Sequence, residues 1–237
     1  MGGQANTNST LGSSNFDGSI QTTVKVNATA GFSIVSYDSS NTNGSSFGHG
    51  LGVAPDHIIF KNRDQSQDWL NYHAELGTSK YLYLDLTNAA GTSSNWIGTS
   101  SSVFIHNNTF ASANNGSNYI AYCFSEVAGY SKFGSYTGNG NADGTFVFTG
   151  FRPALVIFKN TSATEAWSMF DNKRDPDNPV EKFLRPSGSN ADTSGSNDID
   201  FLSNGFKART SNNPNSSGAT YIYLAFSQSP FKNARAR

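Results

Sequence analysis

Short runs of apolar residues alternate with clusters of small polar residues along the whole chain of 237 residues. The runs are rich in Ile, Val, Phe and Tyr, which favour strands, whereas the Asn, Gly and Ser between them favour turns. Several runs are apolar on both faces, and this predicts strands that are covered on two sides. We therefore expect an all-β protein made of antiparallel, sandwich-like or jelly-roll-like units.

The second half of the chain repeats the first half. PDHIIFKN from Pro55 returns as PALVIFKN from Pro153, and YIAYCFS from Tyr119 returns as YIYLAFS from Tyr221. The offset grows from 98 to 102 residues between these matches, which places a four-residue insertion in the segment DNKRDPDNP. Because a repeat of about 100 residues is long enough for a folded unit, the duplication predicts two homologous units that pack together.

The start of the chain is too polar to fold alone, since Gly, Asn, Ser and Thr dominate its first residues. A period-two pattern begins at Ile20 and reaches Val26, which predicts a strand that docks onto the main body or onto a neighbouring subunit. We therefore divide the chain into an extended N-terminal arm over residues 1–29, a first β unit over 30–128 and a second over 129–237.

Composition and charge exclude several classes of function. Charged residues make up 14% of the chain, against roughly 25% in an ordinary soluble domain, and the formal net charge is -1. A neutral surface lacks the electrostatic attraction on which nonspecific nucleic-acid binding depends, so no nucleic acid is expected as a partner. No apolar run approaches ~18 residues, and no secretory signal pattern opens the chain, so membrane insertion is not expected either.

Few residues offer reactive or metal-binding chemistry. The single cysteine, Cys123, lies in an apolar run and is expected to be a buried core residue, which also excludes an internal disulfide. The histidines His49, His57, His73 and His106 all lie in the first half and lack a short zinc-ligand spacing. We expect them at surface or half-buried strand positions, and we expect neither a metal nor a cofactor.

No catalytic motif is visible. The chain has neither a recurring pair of carboxylates nor a G-x-S-x-G elbow, although a pair of carboxylates brought together only by folding stays open. Asp171, Asp175 and Asp177 in the inserted segment lack the glycine and the final acid of a calcium loop, so a capped turn is favoured there. The sequence therefore predicts a protein that is not an enzyme.

Two of the three tryptophans follow the repeat. Trp69 returns as Trp167, which favours a core role for both. Trp96 has no aromatic counterpart and lies in a Ser/Thr/Asn-rich stretch next to Asn95, so these two residues are the candidates for contact with a ligand or partner.

The chain ends in the basic sequence FKNARAR. Arg235 and Arg237 are candidates for contact with an acidic partner surface, and the alternative is a solvated chain end. The second interpretation is the simpler one, because terminal charges are usually exposed to solvent.

Longer strings in the chain carry a resemblance to a known group of proteins. NYIAYCFSEVAGYSKFGSYTGNG from Asn118 and GHGLGVAPDHIIFKNR from Gly48 resemble a module that recurs in structural proteins of marine bacteriophages, and the resemblance covers residues 30–237. In those proteins the module often closes a longer tail or fibre-like polypeptide, sometimes behind a lectin-like β-sandwich domain.

The resemblance implies a non-enzymatic virion protein that is made in the host cytoplasm and displayed on the particle surface, as a tail fibre or a capsid decoration. It implies other virion proteins as partners, reached through the N-terminal arm, and a homo-oligomer, with a trimer as the common phage arrangement. An alternative is an adhesin that binds host-cell glycans through Trp96. A weaker alternative is a polysaccharide depolymerase.

Overall fold

The computed structural model describes residues 12–107, 110–192, 194–195 and 197–229. The described chain is nearly all β, with several antiparallel sheets and only two short 3-10 turns, Ala28–Ala30 and Ala74–Leu76, so the expected fold class is confirmed. The described residues form two compact units: unit 1 contains those up to Tyr83 together with Gly91–Glu126, and unit 2 contains Leu84–Ala90 together with those from Val127 onward.

Unit 1 contains two antiparallel sheets. The large sheet has eight strands in the order β1-β2-β3-β11-β5-β6-β7-β8, and the small sheet has three in the order β4-β10-β9. The strands are Ser13–Asn15 (β1), Thr22–Asn27 (β2), Phe32–Asp38 (β3), Ser45–Gly48 (β4), His57–Asn62 (β5), Leu70–His73 (β6), Lys80–Tyr83 (β7), Gly91–Thr92 (β8), Ile97–Thr99 (β9), Val103–His106 (β10) and Asn118–Phe124 (β11).

Unit 2 repeats this arrangement with fewer strands. Its sheets have the orders β12-β19-β14-β15-β16 and β13-β18-β17, which match β3-β11-β5-β6-β7 and β4-β10-β9 of unit 1 strand for strand. The strands are Ser131–Thr137 (β12), Phe146–Phe148 (β13), Pro153–Asn160 (β14), Ser168–Asp171 (β15), Phe183–Leu184 (β16), Ile199–Leu202 (β17), Gly205–Ala208 (β18) and Thr220–Ser227 (β19).

Each unit has its own aromatic core between its two sheets. Alternation along the strands turns every second side chain inward, as in β3, where Val35 and Tyr37 are buried. In unit 1 the ring of Tyr37 packs on Phe47 and Phe104 from the small sheet, with ring centroids 4.4 and 5.7 Å apart. In unit 2 the corresponding ring of Tyr136 contacts Phe206, at 5.9 Å. The same positions therefore join the two layers in both units.

A buried tyrosine hydroxyl fixes a long loop in each unit. The Tyr37 hydroxyl donates to the carbonyl of Ala113 at 2.9 Å, and the Tyr136 hydroxyl donates to the carbonyl of Pro214 at 2.8 Å. These donors satisfy loop carbonyls that water would otherwise have to reach. Because the same bond occurs in both units, we assign these two tyrosines a structural role.

The N-terminal segment differs from an arm that merely precedes the fold. β2 pairs with β3 along six residues, and Val24 of β2 is buried in the core of unit 1. β1 then pairs with β2. Residues 12–29 therefore add two strands to one end of the large sheet of unit 1, and the period-two pattern from Ile20 indicated the second of them. Residues 1–11 lie outside the described chain.

Unit 2 also includes a segment that the repeat did not indicate. Residues 84–90 leave unit 1 after β7 and bond to unit 2, where Ala90 donates to the Thr161 carbonyl at 3.0 Å and Glu165 donates to the Thr87 carbonyl at 2.9 Å. The chain returns to unit 1 at Gly91. Nothing in the composition of this segment separates it from the other connections between strands.

Candidate functional site

The strongest candidate site is the outer strand of the small sheet in unit 2. β13 lies at the edge of the order β13-β18-β17 and has the sequence Phe146-Val147-Phe148. Val147 points into the core and is buried, so strand alternation turns both phenylalanines outward. Their side chains are 44% and 62% exposed. Exposed aromatic rings next to one another mark surfaces that bind a partner.

The backbone of β13 also has hydrogen-bonding groups that face away from the sheet. Ala208 donates to the Thr145 carbonyl at 3.1 Å, and Thr149 donates to the Asn204 carbonyl at 3.0 Å. Bonded positions alternate in an antiparallel ladder, so Val147 faces β18, and the N–H and C=O groups of Phe146 and Phe148 face outward. We call the outward backbone and side chains of these two phenylalanines the open edge.

Charged residues lie on β18 beside the open edge, not on β13. Lys207, the cross-strand neighbour of Phe146, approaches Asp143 Oδ1 with its Nζ at 2.6 Å, and Arg209 lies 3.5 Å from the same oxygen. The hydrogen bond from Lys207 holds the pKa of Asp143 below its usual value, and the positive charges add to this effect. Arg209 also approaches Asp200 Oδ2 with its Nε at 3.4 Å, so two carboxylates balance the two cations beside the aromatic surface.

The corresponding edge in unit 1 is covered. Phe47 on β4 occupies the position of Val147, and its neighbours Ser46 and Gly48 occupy the positions of the two phenylalanines. Ser46 donates its N–H to Ser19 Oγ at 2.9 Å and accepts a backbone bond from Ser19 at 3.0 Å. The Gly48 carbonyl accepts from Thr22 Oγ1 at 3.0 Å. The N-terminal segment thus bonds, in unit 1, three of the four backbone groups whose counterparts face outward in unit 2.

The N-terminal segment packs closely on β4, and this explains the glycines at their contact. A Cβ at Gly18 would lie 2.5 Å from the Ser46 carbonyl oxygen, and a Cβ at Gly48 would lie 2.1 Å from Asn15 Oδ1. Gly18 also has a φ of +88°, which other residues rarely adopt. The backbone of the N-terminal segment can approach β4 only because both positions lack a side chain.

The structure corrects the interpretation of Trp96 as a surface contact. Trp96 is fully buried, its Nε1 donates to the Lys80 carbonyl at 2.9 Å, and its ring lies edge-on to Phe60 and Phe110. Its ring is enclosed by core aromatic residues, so it cannot stack on a glycan from solvent. Neighbouring Asn95 is exposed, but it has a φ of +50° and accepts from Thr78 Oγ1 at 2.7 Å, as a turn residue does.

The predictions for the other two tryptophans have different outcomes. Trp167 is buried as expected, but Trp69 is only half-buried and stacks on Tyr122 with 6.5 Å between ring centroids. Arg235 and Arg237 lie outside the described residues, so their proposed contacts stay predictions.

All four histidines are core residues, which corrects their expected surface or half-buried placement. Burial lowers the pKa of His106 to about 3, and burial beside His73 holds the pKa of His57 well below its usual range. Burial also lowers the pKa of His49. Within the described ranges, no group of three or more His, Cys, Asp or Glu side chains is arranged to hold a metal ion.

The cysteine and the inserted aspartates follow their predictions. Cys123 is fully buried, and burial raises the pKa of its thiol to about 12. Asp171 Oδ1 accepts the backbone N–H groups of residues 173 and 174, and Asp175 Oδ2 accepts that of Glu181 at 2.8 Å. These two carboxylates cap turns.

A buried lysine in unit 2 was not foreseen. Lys159 is fully buried, and its Nζ donates to the carbonyls of Thr87 and Asn160 at 3.2 and 2.8 Å. Burial lowers its pKa to about 8, although the charge of Glu165 acts in the opposite direction. The sequence signal was weak, because its counterpart Lys61 is only half-buried and lies over the Trp69 ring at 5.5 Å. Lys159 fastens the 84–90 segment to unit 2.

Comparison with known proteins identifies a family without a known activity. The family described as "Domain of unknown function (DUF7483)" matches residues 5–230, a range that includes both units and the N-terminal strands. No curated protein and no solved structure matches this chain. No helix of the described chain is long and apolar enough to cross a membrane. Because the match extends over nearly the whole sequence, the chain belongs to the DUF7483 family.

Proposed function

We propose that this chain is a non-enzymatic structural protein of a bacteriophage particle, displayed on the particle surface. The observation that carries the proposal is the open edge, because outward backbone groups beside two exposed rings suit association with another polypeptide better than a chemical reaction. The resemblance of residues 30–237 to phage structural modules supplies the biological setting.

The placement of the reactive side chains supports a non-catalytic role. Cys123 and all four histidines are buried, and burial disfavours the thiolate and the imidazolium ion. A nucleophile or a general acid must reach its substrate in the correct protonation state. All five side chains are buried and contribute to packing, so none of them is exposed to a substrate in solution.

The fold also limits the proposed docking of the N-terminal arm to a particle. β1 and β2 are already paired within unit 1, and Ser19 and Thr22 bond to β4. Docking through these residues would uncover the core of unit 1. The docking role is therefore proposed for residues 1–11, which lie outside the described chain.

Purified particles of the phage that encodes this chain provide the test. Mass spectrometry of the particles, together with gold-labelled antibodies in electron microscopy, should detect the chain at a fixed copy number and at one surface location. Particles that contain all their other structural proteins but lack this chain would contradict the proposal. A purified protein that releases reducing ends from the host capsule would instead establish the depolymerase alternative.

A further inference from the structure

β13 has a sequence that reads the same in both directions. Phe146-Val147-Phe148 is symmetric about Val147, and threonines 145 and 149 extend the symmetry by one position on each side. Two antiparallel copies of such a strand, related by a two-fold axis through Val147, would place Phe146 of one copy opposite Phe148 of the other. Two copies of β13 can therefore pair antiparallel with matching residues along the whole strand.

The hydrogen-bonding groups fit the same arrangement. The N–H and C=O groups of Phe146 and Phe148 face outward, away from β18, and in the two-fold register they meet the same groups of the second copy. Each Phe146–Phe148 pair would exchange two bonds, and symmetry supplies a second pair. The outward rings would then lie side by side on one face, and this would bury surface that is 44% and 62% exposed in the single chain.

Apart from being only three residues long, β13 lacks the features that usually keep an edge strand from pairing. Natural edges are protected by short length, charged residues, proline, bulges or a covering segment. Residues 145–149 contain no charge and no proline, and the β13–β18 register is regular. Unit 1 protects its corresponding edge with the segment around Gly18 and Ser19. Within the described chain, no segment bonds to the outward backbone groups of Phe146 and Phe148.

We propose that the open edge binds the open edge of a second copy of this chain, so that the two small sheets join into one six-stranded sheet across a two-fold axis. The inference rests on the proposed structural function, because it names the partner at the same site. Pairing through three residues gives a weak, concentration-dependent dimer, which is suited to chains held close together in a larger assembly.

Sedimentation of the purified full-length protein tests the dimer. The weight-average mass of the wild type should rise from 25.4 kDa toward twice that value as the concentration increases. The variant Phe146→Lys/Phe148→Lys places like charges at the joint and should stay monomeric. Val53→Lys is the matched control, because Val53 is also an exposed apolar residue, at 52%, but belongs to unit 1 and not to β13. It should dimerise like the wild type.

A cysteine variant tests the register. In Phe146→Cys/Phe148→Cys, each new thiol would face one from the second copy at a spacing of about 5.5 Å between Cα atoms, which suits a disulfide. Mild oxidation should give a covalent dimer that reductant reverses, whereas the native Cys123 is buried and should not react. Val53→Cys should give far less dimer.

The outcomes separate this inference from the proposed function. A wild type that stays monomeric at all soluble concentrations, or a Phe146→Lys/Phe148→Lys variant that dimerises normally, overturns the pairing even if the chain is found in particles. A monomer whose open edge binds an extended peptide from another protein also overturns it. A dimer that disappears in the lysine variant and cross-links through the new cysteines establishes the pairing, even if the chain is absent from particles.

Discussion

The edges of β4 and β13 occupy the same place in two copies of one fold, yet one is covered and the other is exposed. In unit 1, Ser46 and Gly48 bond to the N-terminal segment, whereas in unit 2 Phe146 and Phe148 face solvent. The residue at the centre is buried in both cases. The inward residue is therefore apolar in both strands, as the core requires. The outward residues are small where the N-terminal segment packs on β4, and aromatic in β13, where no described segment packs on them.

The largest expected effect concerns the core of unit 1, where Trp96 has no aromatic counterpart in unit 2. Trp96→Ala should destabilise unit 1 by about 3–5 kcal/mol, because it leaves a large cavity between Phe60 and Phe110. Asn95→Ala, at the exposed neighbouring position, should cost far less. Denaturant-dependent hydrogen exchange, resolved by peptide, measures both. Equal effects of the two changes would contradict the buried placement of Trp96.

Acid should destabilise unit 1 more than unit 2, because all four histidines lie in unit 1. Burial lowers the pKa of His106 to about 3, so the unfolded chain binds a proton that the folded chain does not, and stability is lost as the pH falls below about 6.5. Between pH 6.5 and 4.5 this one residue should cost unit 1 about 2 kcal/mol. Urea unfolding followed by hydrogen exchange at several pH values measures the loss. A His106→Phe variant with the wild-type pH dependence would contradict the assignment.

An effect of similar size tests the contact between the N-terminal segment and β4. Gly18→Ala should destabilise unit 1 by about 2 kcal/mol or more, because its Cβ would clash with the Ser46 carbonyl at a φ that alanine also disfavours. Gly44 is the matched control, since it has a φ of +82° and no atom within 4 Å of its Cβ position. Gly44→Ala should therefore cost only about 1 kcal/mol. If the two variants unfold at the same denaturant concentration, the close approach is absent.

The smallest effect on stability is expected at β13 itself. Phe148→Ser gives unit 2 a small polar residue at the position that Gly48 occupies in unit 1. Because the side chain is 62% exposed, the free energy of unfolding of the monomer should change by no more than about 0.5 kcal/mol. Phe206→Ser, at a buried ring on β18, should cost several times more. Chemical unfolding of dilute protein measures both, and a large loss in Phe148→Ser would show that its ring contributes to the fold.

The sequence predicted the layers of this fold better than its surfaces. The repeat of PDHIIFKN predicted two related units, and the pattern from Ile20 predicted a strand, because core positions are constrained by burial. The prediction for Trp96 was wrong because its ring packs against Phe60 and Phe110, which are distant in sequence, and the polar composition around it does not show this burial. Residues 84–90 depend on long-range backbone bonds, for which the sequence carries no local signal.

The open edge did have a sequence signal. At an offset of 100 residues, Ser46 and Gly48 correspond to Phe146 and Phe148, so the outward positions of one strand gained two aromatic residues. Only the register of the small sheets shows that these positions face outward.

The exchange of two backbone amides tests the central claim most directly. Amide hydrogen exchange of Phe146 and Phe148, measured by NMR at increasing protein concentration, should be fast in dilute solution and slow progressively as open edges pair. The amide of Ser46, which donates to Ser19 Oγ, should be protected at every concentration. Exchange at Phe146 and Phe148 that is already slow in dilute protein, or fast at all concentrations, would contradict an open edge that binds a second copy.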